Sequence, residues 1–184
     1  EAILLIAGPP GTGKTTLLRH MITKYKLCAH VIYDEKLMEQ DTPFQAFLFG
    51  DRDYVDPDEE DTQQRDVMIV EDADTILNGR ESDDNRLMNR FLNVSDGLIK
   101  LPNKKLIFTT NINDFTKVDP ALMRPGRCFD VLICRALTIG EAFLAWQAAG
   151  LDKPKETRDG TYTIAELFNT GGKKDERRVG FTSV

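Results

Sequence analysis

Gly8-Pro9-Pro10-Gly11-Thr12-Gly13-Lys14-Thr15 decides the reading of this chain. The run fits the pattern G-x-x-x-x-G-K-[ST]. An apolar stretch, Ala2-Ile3-Leu4-Leu5-Ile6-Ala7, precedes it and reads as a buried parallel strand; Thr16-Leu17-Leu18-Arg19-His20-Met21 follows and opens a helix. Glycines let such a loop turn its N–H groups toward phosphate oxygens, and the helix N-terminus adds a fixed positive partial charge. Lys14 would reach the β- and γ-phosphates, the Thr15 hydroxyl would ligate Mg²⁺, and Pro9, Pro10, Thr12 and Thr16 would complete the lining. The alternative is a chance glycine-rich turn. With glycine at about 7% of residues, the four fixed positions coincide in a chain of this length less than about once in a hundred.

Outward from the loop, strand-like and helix-like segments alternate, which argues for a parallel sheet with helices on both faces. A helix is predicted over residues 14–24, a short strand over 30–34, and a helix over 35–49 interrupted at Thr42-Pro43. Residues 67–70 form a third buried strand that ends at Glu71-Asp72. Residues 85–98 have helical period, with Leu87, Phe91, Leu92 and Val94 apolar. Residues 105–110 and 129–133 complete five strands, and 141–146 read as a helix of a separate small element.

Composition bounds the rest. A chain of 184 residues suits one domain, or one with a small appendage, and can bury a proper core. No apolar run approaches the ~20 residues needed to cross a bilayer. The first strand starts so early that a trimmed fragment is expected, and membrane attachment through upstream residues stays open. The net charge of -6 argues against broad affinity for nucleic acid. Much of the acid lies in residues 51–61, which read as a solvated loop or a partner-docking surface. Lys173-Lys174 and Arg177-Arg178 read as a solvated tail or a local basic patch. Cys28, Cys128 and Cys134 form no pair at metal-ligand spacing, which favours reduced thiols in a cytoplasmic or other reducing compartment. His20 and His30 read as packing or surface residues.

In open parallel sheets ligands bind at the carboxyl ends of the strands. Here the third strand ends at Glu71-Asp72 and the fourth at Asn111. Beside a nucleotide, one acid orients Mg²⁺ and its waters, Glu71 through water, and the other polarises the attacking water. Asn111 can position that water or sense the γ-phosphate; the alternatives are helix capping for Glu71-Asp72 and turn shaping for Asn111. In Val118-Asp119-Pro120-Ala121-Leu122-Met123-Arg124-Pro125-Gly126-Arg127, a short helix is expected to stop at Pro-Gly and project two guanidinium groups. Arginine suits the spread charge of a transferring phosphoryl group; a surface arginine pair is the alternative.

With these motifs in place, residues 2–135 resemble an AAA-type ATPase core. Gly8 to Thr15 matches that family's phosphate loop, residues 67–72 its Mg²⁺-binding strand, Asn111 its first sensor, and residues 119–127 its second region of homology. Phe91-Leu92-Asn93-Val94-Ser95-Asp96-Gly97, Thr109-Thr110-Asn111 and the Glu-Asp order resemble the branch containing the mitochondrial Rieske-protein translocase. The resemblance implies a P-loop NTPase three-layer α/β/α sandwich with a five-stranded parallel sheet. The core would span 1–136, and a short, minimal or incomplete helical lid 137–184. It further implies ATP and Mg²⁺ as ligands and a homo-oligomeric ring of six subunits. Arg124 and Arg127 would act on the next subunit's nucleotide, and the partner would be a macromolecule, protein rather than nucleic acid.

Two features depart from the family's pattern. The acid pair runs Glu71 then Asp72, so the second acid reaches less far, by ~1.5 Å. Hydrolysis is therefore expected to be slow or to depend on ring assembly. Phe47-Leu48-Phe49-Gly50 reads either as a pore loop or as an amphipathic helix end. Three functions are compatible with these residues: a motor that moves or remodels a partner, a nucleotide-gated assembly switch, and a small-molecule kinase. The paired arginines and Asn111 count against the kinase.

Overall fold

Ile3–Ala7 (β1) is buried at every position because it runs between two neighbouring strands. The computed structural model describes residues 2–33, 47, 65–78, 86–96, 104–124, 126–150 and 160–168. Four further strands run parallel to β1: Cys28–Ile32 (β2), Asp66–Val70 (β3), Lys104–Thr110 (β4) and Cys128–Ile133 (β5). The order is β2-β3-β4-β1-β5, so the near-continuous apolar runs of β1, β3 and β4 fill the middle, where both faces are covered. The five-stranded parallel α/β sheet expected from the sequence is thus present.

Lys14–Tyr25 (α1) packs on one face, with Leu18 buried and Leu17, Met21 and Ile22 beside it, against Leu4, Ile6, Val67, Ile69 and Ile107. It stops at Lys26, which takes the left-handed conformation (φ 49°) while its N–H bonds back to Ile22 O. The other face carries Ile3, Leu5, Met68, Val70, Leu106 and Phe108. Covering it are Asp74–Leu77 (α2) and Arg86–Asp96 (α3), with Met88, Phe91 and Leu92 turned inward. Phe91 meets Phe108 edge to face, 4.9 Å between ring centres. Each such fully buried side chain contributes about 1.5–3 kcal/mol.

The second strand is displaced from the sequence reading. β2 begins at Cys28 and ends at Ile32, two residues earlier than expected at each end. Pairing sets this start: Cys28 N–H donates to Arg65 O at 3.1 Å and Cys28 lies opposite Asp66. Between β1 and β5 the register shifts at Ile3/Leu4, so Cys128 and Asp130 oppose consecutive β1 residues. Phe47 is buried in the sheet core, its ring edge-on to His30 at 5.5 Å. Leu48, Phe49 and Gly50 lie outside the described residues, as do the acidic stretch 51–61 and the basic pairs near the C-terminus.

The chain divides into two compact units, residues 1–134 and 135–184. In the second, Leu137–Thr138 (β6) pairs antiparallel with Thr161–Tyr162 (β7), beside Ile139–Ala149 (α4) and Ile164–Phe168 (α5). A small core of Ala142, Trp146, Tyr162 and Leu167 holds them. Thr138 and Glu141 form a reciprocal capping box at the start of α4. The Arg135 guanidinium donates to both Glu141 carboxylate oxygens, at 2.8 and 2.7 Å. Those bonds, then bonds from Thr138, hold the Glu141 carboxyl down to about 2.

Candidate active site at the carboxyl ends of the strands

The loop between β1 and α1 is shaped by backbone that only glycine supplies cheaply. Gly11 and Gly13 have φ of 78° and 96°. Gly8 is pinned from two sides. Its N–H donates to Thr110 O at 3.1 Å, and a Cβ there would sit 2.0 Å from Cys134 O. Cys134 N–H in turn donates to Ala7 O at 2.7 Å, so the end of β5 closes against the loop. Thr12 is buried, its hydroxyl donating to Pro9 O at 2.7 Å. Burial pushes the Cys134 thiol up, with the Lys14 ammonium pulling the other way.

Lys14 is buried too, and all three of its ammonium donors are used. They go to Gly8 O at 2.7 Å, Pro9 O at 3.2 Å and Asn111 Oδ1 at 2.8 Å. The end of β4 therefore joins the loop through one side chain. Asn111 continues on its other side: Nδ2 donates to Asp72 Oδ1 at 3.2 Å and to Asp74 Oδ2 at 3.3 Å.

The turn after β3 is fixed from both neighbouring strands, β2 and β4. Glu71 N–H donates to Ile32 O at 3.2 Å and Ala73 N–H to Thr109 O at 2.8 Å. Between them Asp72 takes φ 51°, in the left-handed region that Asp tolerates better than most residues. The Thr109 hydroxyl accepts the Asp72 N–H at 2.9 Å and so holds this conformation. Asp74 was missed by sequence reasoning. It accepts the Thr110 hydroxyl and the Asn111 N–H (2.8 Å for the latter) in addition to Asn111 Nδ2. Its signal was present: a second acid two residues beyond Asp72, in the first turn of a helix.

The structure thus brings together Lys14, Asn111 and Asp72, while Thr15 and Glu71 sit half-buried at the helix start and strand end. Arg124 and Arg127 lie in the segment between β4 and β5. Their segment contains no α-helix among the described residues, contrary to expectation. A 3₁₀ turn at Phe115–Lys117 leads into turns in which Asp119 Oδ1 caps Ala121 N–H at 2.8 Å and Leu122 N–H bonds Asp119 O at 3.0 Å. These short-range bonds, with Pro120 lacking a donor, compete with helical ones. The two arginines differ. Arg127 is built into the turn, donating to Ala121 O at 2.8 Å, whereas Arg124 is exposed.

The arrangement fits a nucleotide with a hard cation. The loop is turned by glycines at positive φ, its cation is held in place, and the nearby donors are a hydroxyl and carboxylates, the oxygen ligands Mg²⁺ prefers.

Comparison with known proteins agrees with this chemistry. A family model described as "ATPase family associated with various cellular activities (AAA)" matches residues 4–135. An AAA-ATPase of Arabidopsis thaliana is 31% identical over 140 residues, covering 67% of this chain and 25% of the relative. The 26S proteasome regulatory subunit 10B of Dictyostelium discoideum is 31% identical over 136 residues, covering 67% and 32%. The ATPase family gene 2 protein of Saccharomyces cerevisiae is 31% identical, covering 67% and 16%. The chain therefore spans a third or less of the length of these relatives.

Proposed function

The chain belongs to the AAA family of ATPases, and on that premise we propose that it binds and hydrolyses Mg-ATP in a homo-oligomeric ring that remodels or translocates a macromolecular partner. Gly8, Pro9, Pro10, Gly11, Thr12, Gly13, Lys14, Thr15 and Thr16 hold the nucleotide. The observation that carries the reading is the bonded chain Lys14–Asn111–Asp72, which ties the phosphate cradle to the acid end of β3.

Each residue's part follows from its surroundings. Lys14 exchanges carbonyl and amide acceptors for phosphate oxygens, a charge-assisted and stronger pairing. Asn111, held by Asp74, keeps its amide at the point where phosphate and water meet. Asp72, held in its left-handed backbone by the Thr109 hydroxyl, accepts a proton from the attacking water. Thr15 and Glu71 hold Mg²⁺, which when bound supplies neutralisation of the developing phosphate charge. Exposed Arg124, its turn braced by Arg127, acts with it on the nucleotide of the adjacent subunit. The partner is a protein rather than nucleic acid, a reading supported by the net charge of -6 and by the proteasome subunit among the relatives. The Glu71-Asp72 order and residues 91–97 support the Rieske-translocase-like branch.

A second reading, a nucleotide-gated assembly switch with slow hydrolysis, is favoured by one observation. Asp72 is the shorter acid, and its Oδ1 is already engaged by Asn111. Particle size with and without a non-hydrolysable ATP analogue, alongside phosphate release, separates the two. A motor assembles and turns over; a switch assembles with little turnover.

A further inference from the structure

At the other end of the sheet from the phosphate loop, β2 and β3 bring three metal-binding side chains to one face. Cys28 and His30 are two residues apart on β2, and Ile32, two further on, lies in the core on that face. Cys28 lies opposite Asp66 in the parallel register. The Cys28 Sγ, a ring nitrogen of His30 and a carboxylate oxygen of Asp66 all lie within 4.8 Å of one another.

We propose that Cys28, His30 and Asp66 form a site for Zn²⁺, separate from the nucleotide site and its Mg²⁺. Thiolate and imidazole select zinc over magnesium by softness. Tetrahedral zinc with S at ~2.3 Å and N at ~2.0 Å sets its ligands about 3.5 Å apart. Cys28 Sγ and His30 Nε2 stand at 3.9 Å, so a few tenths of an ångström close the pair. The His30 ring is braced edge-on against buried Phe47. Three protein ligands with a half-exposed rim leave the fourth position to water.

The charge balance suits a dication. Binding releases the Cys28 thiol proton to solvent, and the thiolate and the Asp66 carboxylate together offset the two positive charges. Lys104 lies across from Asp66 in β4. Its ammonium donates to Phe47 O and sits 5.4 Å from the Phe47 ring centre. Because β2 stands at the edge of the sheet among the described residues, paired with β3, an ion shared by Cys28, His30 and Asp66 clamps that edge.

The test is a titration of the full chain, stripped of metal and kept reduced in excess Mg²⁺, with Co²⁺ as the spectroscopic probe and Zn²⁺ in competition. One Co²⁺ per chain is expected, with a thiolate-to-metal charge-transfer band that Zn²⁺ abolishes. Cys28→Ser removes the band, His30→Ala and Asp66→Asn each weaken Co²⁺ binding at least tenfold, and Cys128→Ser keeps both. His30 is exposed, so His30→Ala reports even where Cys28→Ser folds poorly. No band, a band surviving Cys28→Ser, or unchanged affinity in His30→Ala overturns the proposal.

Discussion

The Lys14 ammonium donates to Asn111 Oδ1 at 2.8 Å across 97 residues of sequence. That bond makes the phosphate cradle and the ends of β3 and β4 one unit. A cation fixed by the same amide that reaches Asp72 is oriented before any ligand arrives, and preorganised charge is what stabilises a transition state.

Asn111 and Asp74 should separate by function when substituted. Asn111→Ala is expected to lower turnover by about 10²-fold while ATP-analogue affinity changes only a few-fold, because its loss misplaces catalytic groups. Asp74→Ala removes the acceptor for the Thr110 hydroxyl and the Asn111 N–H, both drawn from β4 and its end. It should cost about 1–3 kcal/mol in urea unfolding as well as activity. Steady-state phosphate release and unfolding curves on both variants check this.

Gly8→Ala tests the contact between the loop and the end of β5. Its Cβ would lie 2.0 Å from the Cys134 carbonyl oxygen, which is backbone and cannot swing aside, at a φ of 154°. Overpacking of this kind costs about 1–3 kcal/mol. Loss of stability with weakened ATP-analogue binding is expected, read by calorimetry and thermal unfolding. Gly126, with φ 97° and open space around it, should lose no packing and only incur backbone strain.

In the second unit, Glu141 gives a pH dependence with a definite sign. Its folded pKa, about 2, lies below its ordinary 4.5. The stabilisation is therefore present above pH 4.5 and is lost as pH falls toward 2. Trp146 is the chain's one tryptophan and lies in this unit's core, so its fluorescence reports the loss. Glu141→Gln should flatten that acid limb of the curve.

Much of this was legible from local pattern. Continuous apolar runs marked β1, β3 and β4 because those strands are covered on both faces, and the glycine spacing marked the loop. β2 was displaced by two residues because its start is set by pairing with Asp66, a long-range event invisible in Cys28-Ala29 themselves. The helix expected before Pro125 is a set of turns because Asp119 caps locally. Asp74 went unseen because its role is defined by Thr110 and Asn111, more than thirty residues away in sequence. Nor could spacing tell Arg127, tied to Ala121 O, from exposed Arg124.

The central claim is a nucleotide site completed by a neighbouring subunit, and phosphate release per subunit as a function of protein concentration tests it most directly. Specific activity is expected to rise with concentration as the ring assembles. Lys14→Ala should abolish it, and Arg124→Ala should lower it by about 10³-fold or more with ATP-analogue binding retained. Concentration-independent turnover by a monomer, unaffected by Arg124→Ala, would contradict the account.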